Sequence, residues 1–134
     1  MISVEFHNTV DDSLLKFAVI LSRYQGKWLF CQHRDRDTYE CPGGRREAGE
    51  KIEHTARREL YEETGAVGFT LMPLSAYSVR ETAGDPDTPG ISYGMLYYGD
   101  ITELGPIPEG YEIARTALFR EPPANWTYPD IQPV

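Results

Sequence analysis

Glu59, Glu62 and Glu63 stand at i, i+3 and i+4 in a stretch whose apolar residues repeat with helical spacing. At about 100° per residue the three carboxylates project from one side of a helix. Like charges at i, i+4 cost roughly 0.2–0.5 kcal/mol per pair. Near a helix C-terminus the macrodipole disfavours anions further. A sequence selected for stability alone avoids that arrangement. A hard divalent cation repays it, because Mg²⁺ favours carboxylate oxygens together with its own waters. Glu50 and Glu53 add negative charge upstream. The plainer account is a solvated helix face, with Arg57 pairing to Glu53 and Arg58 to Glu62 at i, i+4. What stands on either side of the trio decides against it.

Residues 44–66 read GRREAGEKIEHTARRELYEETGA. Gly44 is followed after five residues by Glu50. Seven more lead to Arg58-Glu59, then Leu60, Tyr61, Glu62-Glu63, Thr64, Gly65 and Ala66. This resembles the Nudix hydrolase signature G-x5-E-x7-R-E-U-x-E-E-x-G-U, where U is a bulky aliphatic. Eight of the nine defined positions match; Ala66 is small for the last, and Val67 beside it can serve. With ordinary residue frequencies a chance match at one site is on the order of 10⁻⁹. The signature covers 23 of 134 residues. Its flanks agree too: a strand and Pro42-Gly43-Gly44 before it, a strand after it.

The resemblance implies one Nudix domain over residues 1–134, an α/β/α sandwich with a mixed sheet that carries a loop–helix–loop. It implies Mg²⁺-dependent hydrolysis, with Mn²⁺ as the alternative ion, of a nucleoside diphosphate linked to another group. By position, Glu62 and Glu63 become metal ligands and Glu59 a ligand or the general base. Arg58 holds Glu59 by a charge-assisted hydrogen bond. The Gly44 carbonyl becomes a further ligand. The role of Glu50 stays open between catalytic and structural.

The elements that must position these groups are legible from pattern. Residues 14–22 (LLKFAVILS) and 27–33 (KWLFCQH) read as strands joined by a turn over residues 23–26. Residues 34–40 are charged and read as loop, and Cys41-Pro42-Gly43-Gly44 as a break where the glycines permit positive φ. A helix runs from about residue 50 to 64, with Ile52, Ala56 and Leu60 as its apolar stripe and Gly65 as its stop. Residues 67–74, 76–81, 91–98 and 113–120 read as strands, and residues 82–90 and 103–110 as turn-rich loops. Strands on both sides of one amphipathic helix indicate a mixed α/β sandwich. Relatives carry a second helix near the C-terminus. Only residues 129–134 remain for it here, so it is either very short or cut off.

Composition sets the class. Thirteen Lys+Arg against twenty-one Asp+Glu leave a net charge of −8, which excludes a clamp on duplex nucleic acid. A metal site supplies the positive charge that a small anionic substrate needs. Apolar residues at 40% exclude a disordered chain. Cys31 and Cys41 are too few for a disulfide scaffold and read as reduced thiols. There is no apolar run of ~18 residues and no secretory leader, so no membrane partner is expected and the cytoplasm is the expected location.

Weaker candidates lie outside the signature. Arg34 follows the second strand, where relatives place a phosphate contact. Glu112, with Glu109 competing, precedes the late strand, where some relatives place an extra carboxylate. Tyr93, Tyr97, Tyr39 and Phe17 offer faces on which a base can stack, against a core role for each. Residues 117–119 and 125–129 make the chain similar to the bacterial branch that cleaves nucleoside triphosphates, 8-oxo-dGTP among them. ADP-ribose, nucleotide sugars, dinucleotides and RNA 5′ ends are the alternative substrates, and a non-catalytic nucleotide sensor is the rival class. A homodimer is compatible with all of them.

Overall fold

The computed structural model describes residues 2–7, 10–33, 39–81, 90–108 and 113–119. Strand β2 (Leu15–Tyr24) turns into β3 (Lys27–His33) through Gln25 and Gly26 alone. Both turn residues have positive φ, 54° and 77°, the conformation that matches a two-residue hairpin to strand twist. The turn is therefore tighter than residues 23–26 suggested.

Residues 41–44 are not a simple break. Gly43–Arg45 forms a short strand, β4, antiparallel to residues 17–19 of β2. Neither Gly43 nor Gly44 has positive φ. The glycines serve close approach instead: a Cβ on Gly43 would strike the Ala18 carbonyl. Backbone bonds from Ile20 N to Pro42 O (2.9 Å) and Arg46 N to Lys16 O (2.7 Å) clip β4 on either side.

The helix α1 spans Ile52–Thr64, so it starts two residues later than its periodicity indicated and leaves Glu50 in the preceding loop. Gly65 stops it in the left-handed region at φ 80°, its N–H bonded to Tyr61 O. Strand β5 (Ala66–Glu81) is continuous where two strands were expected. Pro73 sits at a register shift, beyond the part of β5 (residues 76–81) that pairs with β1, where a missing donor is tolerated. Strand β1 (Ile2–His7) was not among the expected strands, although Ile2, Val4 and Phe6 alternate with Ser3, Glu5 and His7 in the period of two that a strand shows. Strands β6 (Gly90–Leu104) and β7 (Ile113–Phe119) complete the sheet.

The strand order is β1-β5-β6-β2-β3-β7, with β4 also on β2. The β2–β6 pair is parallel and the other pairs are antiparallel, so the sheet is mixed. Ile52, Ala56 and Leu60 of α1 are buried with Ala18, Ile20, Leu29, Tyr97 and Ile101 of the sheet. Each fully buried Leu or Ile contributes about 1.5–3 kcal/mol. That seam fixes α1 on β2 and β4. Among the described residues α1 is the one α-helix, and none is long and apolar enough to cross a membrane. The expected C-terminal helix lies outside the described residues.

Candidate active site

The apolar stripe of α1 faces the sheet, so the carboxylates beside it are drawn against β4. Glu63 is buried, and its Oε1 accepts the Gly43 N–H at 2.7 Å. Glu59 lies against Gly44, where any Cβ would collide with its carboxylate. Gly44 is thus a steric requirement of this seat. Gly43 and Gly44 of β4 and Glu63 and Glu59 of α1 are thus two sides of one contact.

Arg58 organises the cluster. Its Nε and Nη2 grip the two oxygens of Glu50 at 2.7 and 3.0 Å. Its Nη1 donates to Glu59 at 2.8 Å and to Glu62 at 3.3 Å. Nη2 also reaches the Arg45 carbonyl at 3.0 Å, tying the helix to β4. The exposed Glu47 stands 3.6 Å away. The i, i+4 pairing of Arg58 with Glu62 and the hold on Glu59 therefore coexist, while the exposed Arg57–Glu53 pair at 3.5 Å is a surface contact of small energetic weight.

The electrostatics follow from this geometry. Arg58 holds the Glu50 carboxyl down to about 2, with help from Glu47 N and Thr55 Oγ1. Burial, and then the negative charge of Glu63, push Glu59 up to about 7, although Arg58 opposes both. Two carboxylates bound to the same guanidinium are thus shifted in opposite directions. Glu50 is a permanent anion that anchors Arg58. In the metal-free fold Glu59 thus changes charge near neutral pH.

Among the described residues no three carboxylate, imidazole or thiol groups are already gathered in metal-binding geometry. The Arg58 guanidinium lies between Glu59 and Glu62 and occupies oxygens that a cation would share. The donor set nevertheless fits Mg²⁺: carboxylate oxygens at one end of α1, with backbone closely packed against Glu59 and an excess of negative charge. Glu59, Glu62, Glu63 and the Gly44 carbonyl are the residues that would hold it.

The remaining candidates are dispersed. Arg34, Glu109 and Glu112 lie outside the described residues. Tyr93 is half-buried on β6, its ring 6.0 Å from that of His7, and packs against the core. Tyr97 is buried in that core. Phe17 lies under the Arg45 guanidinium at 5.3 Å, and Tyr39 meets Phe119 edge-on at 5.2 Å. Cys31 and Cys41 are buried free thiols; burial raises both, Cys41 to about 12, so neither is an activated nucleophile. His54 is exposed. Two features escaped the sequence: the bidentate grip of Arg58 on Glu50, and Arg46, which fills an unconstrained position of the signature.

A NUDIX domain model matches residues 13–123, and the chain belongs to the Nudix hydrolase family. It is 36% identical over 110 residues to "Putative 8-oxo-dGTP diphosphatase YtkD" of Bacillus subtilis (strain 168), covering 82% of this chain. The match spans 65% of the length of that relative, just under two-thirds. A mutant form of the Bacillus subtilis pyrophosphohydrolase BsRppH superposes with a TM-score of 0.76 at 31% identity, covering 92% of this chain and 74% of that one. The E. coli dihydroneopterin triphosphate pyrophosphohydrolase shares the fold, with a TM-score of 0.61 at 17% identity over 80% of this chain and 83% of its own.

Proposed function

We propose that this chain is a Mg²⁺-dependent pyrophosphohydrolase that cleaves a nucleoside triphosphate, 8-oxo-dGTP among the candidates, to the monophosphate and pyrophosphate. The observation that carries the reading is the seat of Glu59: a half-buried carboxylate held by Arg58 and packed against the Gly44 backbone, on the same helix as Glu62 and Glu63. When bound there, Mg²⁺ would offset the charge of the substrate phosphates, which the chain's own charge of −8 repels. Glu59 takes the proton of the attacking water. Arg58 keeps the Glu59 carboxylate oriented, and Glu50 keeps Arg58 in place. A sensor that had given up catalysis has no need of that proton acceptor. The names of YtkD and BsRppH support a phosphoanhydride substrate. The two buried thiols agree with a reducing compartment, and the cytoplasm is the proposed location.

The substrate is tested by comparing kcat/KM for dGTP, 8-oxo-dGTP, ATP, ADP-ribose, diadenosine polyphosphates and a 5′-triphosphorylated RNA. A triphosphate is expected to lead. An unpaired donor or acceptor on the wrong purine edge costs about 1–3 kcal/mol, which sets the discrimination among bases. A roughly tenfold preference for ADP-ribose or a dinucleotide, about 1.4 kcal/mol in transition-state binding, rejects the triphosphate reading and leaves the reaction class standing.

A further inference from the structure

Arg46 has more hydrogen-bonded partners than a surface residue needs. Its Nε donates to the Glu50 carbonyl at 2.6 Å. Its Nη1 donates to the carbonyls of Asp12 at 2.7 Å and Leu15 at 3.3 Å, and its Nη2 to Asp12 Oδ2 at 3.0 Å. Its own N–H is bonded to Lys16 O. All three guanidinium nitrogens are engaged, mostly with backbone. The side chain is 19% exposed whereas Asp12 is 62% exposed, so the carbonyls, rather than the ion pair, dominate the energetics.

These bonds converge on the loop that delivers Glu50. On one side they fasten the 3₁₀ turn Asp12–Leu14 and the start of β2; on the other they hold the carbonyl of Glu50 itself. The Glu50 carboxylate then takes Arg58 in two places, and Arg58 takes Glu59 and Glu62. The path is continuous from the sheet to the proton acceptor.

We propose that Arg46 is a positioning residue of the carboxylate site, a clasp that sets Glu50 and, through Arg58, the orientation of Glu59 and Glu62. The proposal rests on the functional reading above, in which those carboxylates hold a divalent cation. Its chemical requirement is a planar fork that can serve several acceptors at once; an ammonium group on the Lys stem cannot reproduce that geometry. Supporting groups behind a ligand set typically govern metal affinity and activity by about 10–100-fold.

The test compares Arg46→Met and Arg46→Lys with wild type, and uses Arg57→Met as the exposed control. Mn²⁺ affinity is measured by the loss of the free-ion electron paramagnetic resonance signal, together with kcat, KM and melting temperature. Arg46→Met is expected to lose about 10–100-fold in both Mn²⁺ affinity and kcat, with KM little changed. Arg46→Lys should fall between, and Arg57→Met should match wild type. If Arg46→Met fails to fold, Arg46→Lys decides. A lowered melting temperature with Mn²⁺ affinity and kcat both at wild-type values reduces Arg46 to a structural residue and overturns the proposal. A Glu59→Gln/Glu62→Gln double variant separates the two ideas. If it binds Mn²⁺ as wild type does, the metal reading fails, and the clasp then stands or falls on kcat alone.

Discussion

Glu59→Gln is expected to lower kcat by at least about 10²-fold, the usual scale for loss of a general base. The substitution keeps the shape that Gly44 accommodates and keeps an oxygen for Arg58. It removes the charge and the proton acceptor. Its effect on stability has the opposite sign. In the metal-free fold burial and Glu63 raise Glu59 from 4.5 to about 7, so the native state binds its proton more tightly than the unfolded chain. That contribution is fully present below about pH 4.5 and is lost as pH rises through 7. Metal-free Glu59→Gln, which has no charge to bury, should therefore be more stable than wild type above neutral pH, by on the order of 1–3 kcal/mol, with the gap closing on acidification. Urea unfolding at pH 5 and pH 8 in chelator reads this directly. Wild-type turnover by the variant would remove Glu59 from the chemistry.

Chelation is the other large effect. In excess EDTA turnover of every substrate should vanish, and added Mg²⁺ or Mn²⁺ should restore it. The reason is charge: a polyphosphate cannot approach Glu59, Glu62 and Glu63 together without a cation between them, and Arg58 is already spent on Glu50, Glu59 and Glu62. Glu62→Gln and Glu63→Gln should raise the Mg²⁺ concentration for half-maximal activity, with partial rescue at high Mg²⁺. Glu63→Gln carries the extra cost of altering the bond that Gly43 N donates to it. Turnover persisting in chelator would dismiss the metal-dependent mechanism.

The carboxylate trio, its helix and the glycine stop were legible from residue types alone, because a helix converts spacing into direction without help from the rest of the chain. The hairpin was legible for the same local reason, though the structure narrows its turn to Gln25 and Gly26. The family signature itself announced Gly44, but only the packed structure says why: its missing Cβ is the space that the Glu59 carboxylate uses. β4 escaped because a three-residue glycine strand has almost no pattern of its own and forms only by docking on β2. The union of two expected strands into β5 depended on which stretch of it β1 covers, a fact of sheet assembly. Glu50 looked helical by periodicity, yet it belongs to the loop and folds back on Arg58 across eight residues, a distance that helical spacing cannot bridge. Arg46 was silent altogether. Two of its partners are backbone carbonyls some thirty residues away in sequence, and carbonyls carry no side-chain signature until the sheet brings them within reach. Local chemistry was thus written in the residues; which carboxylates are packed against β4, and which arginines hold them there, was decided by tertiary packing.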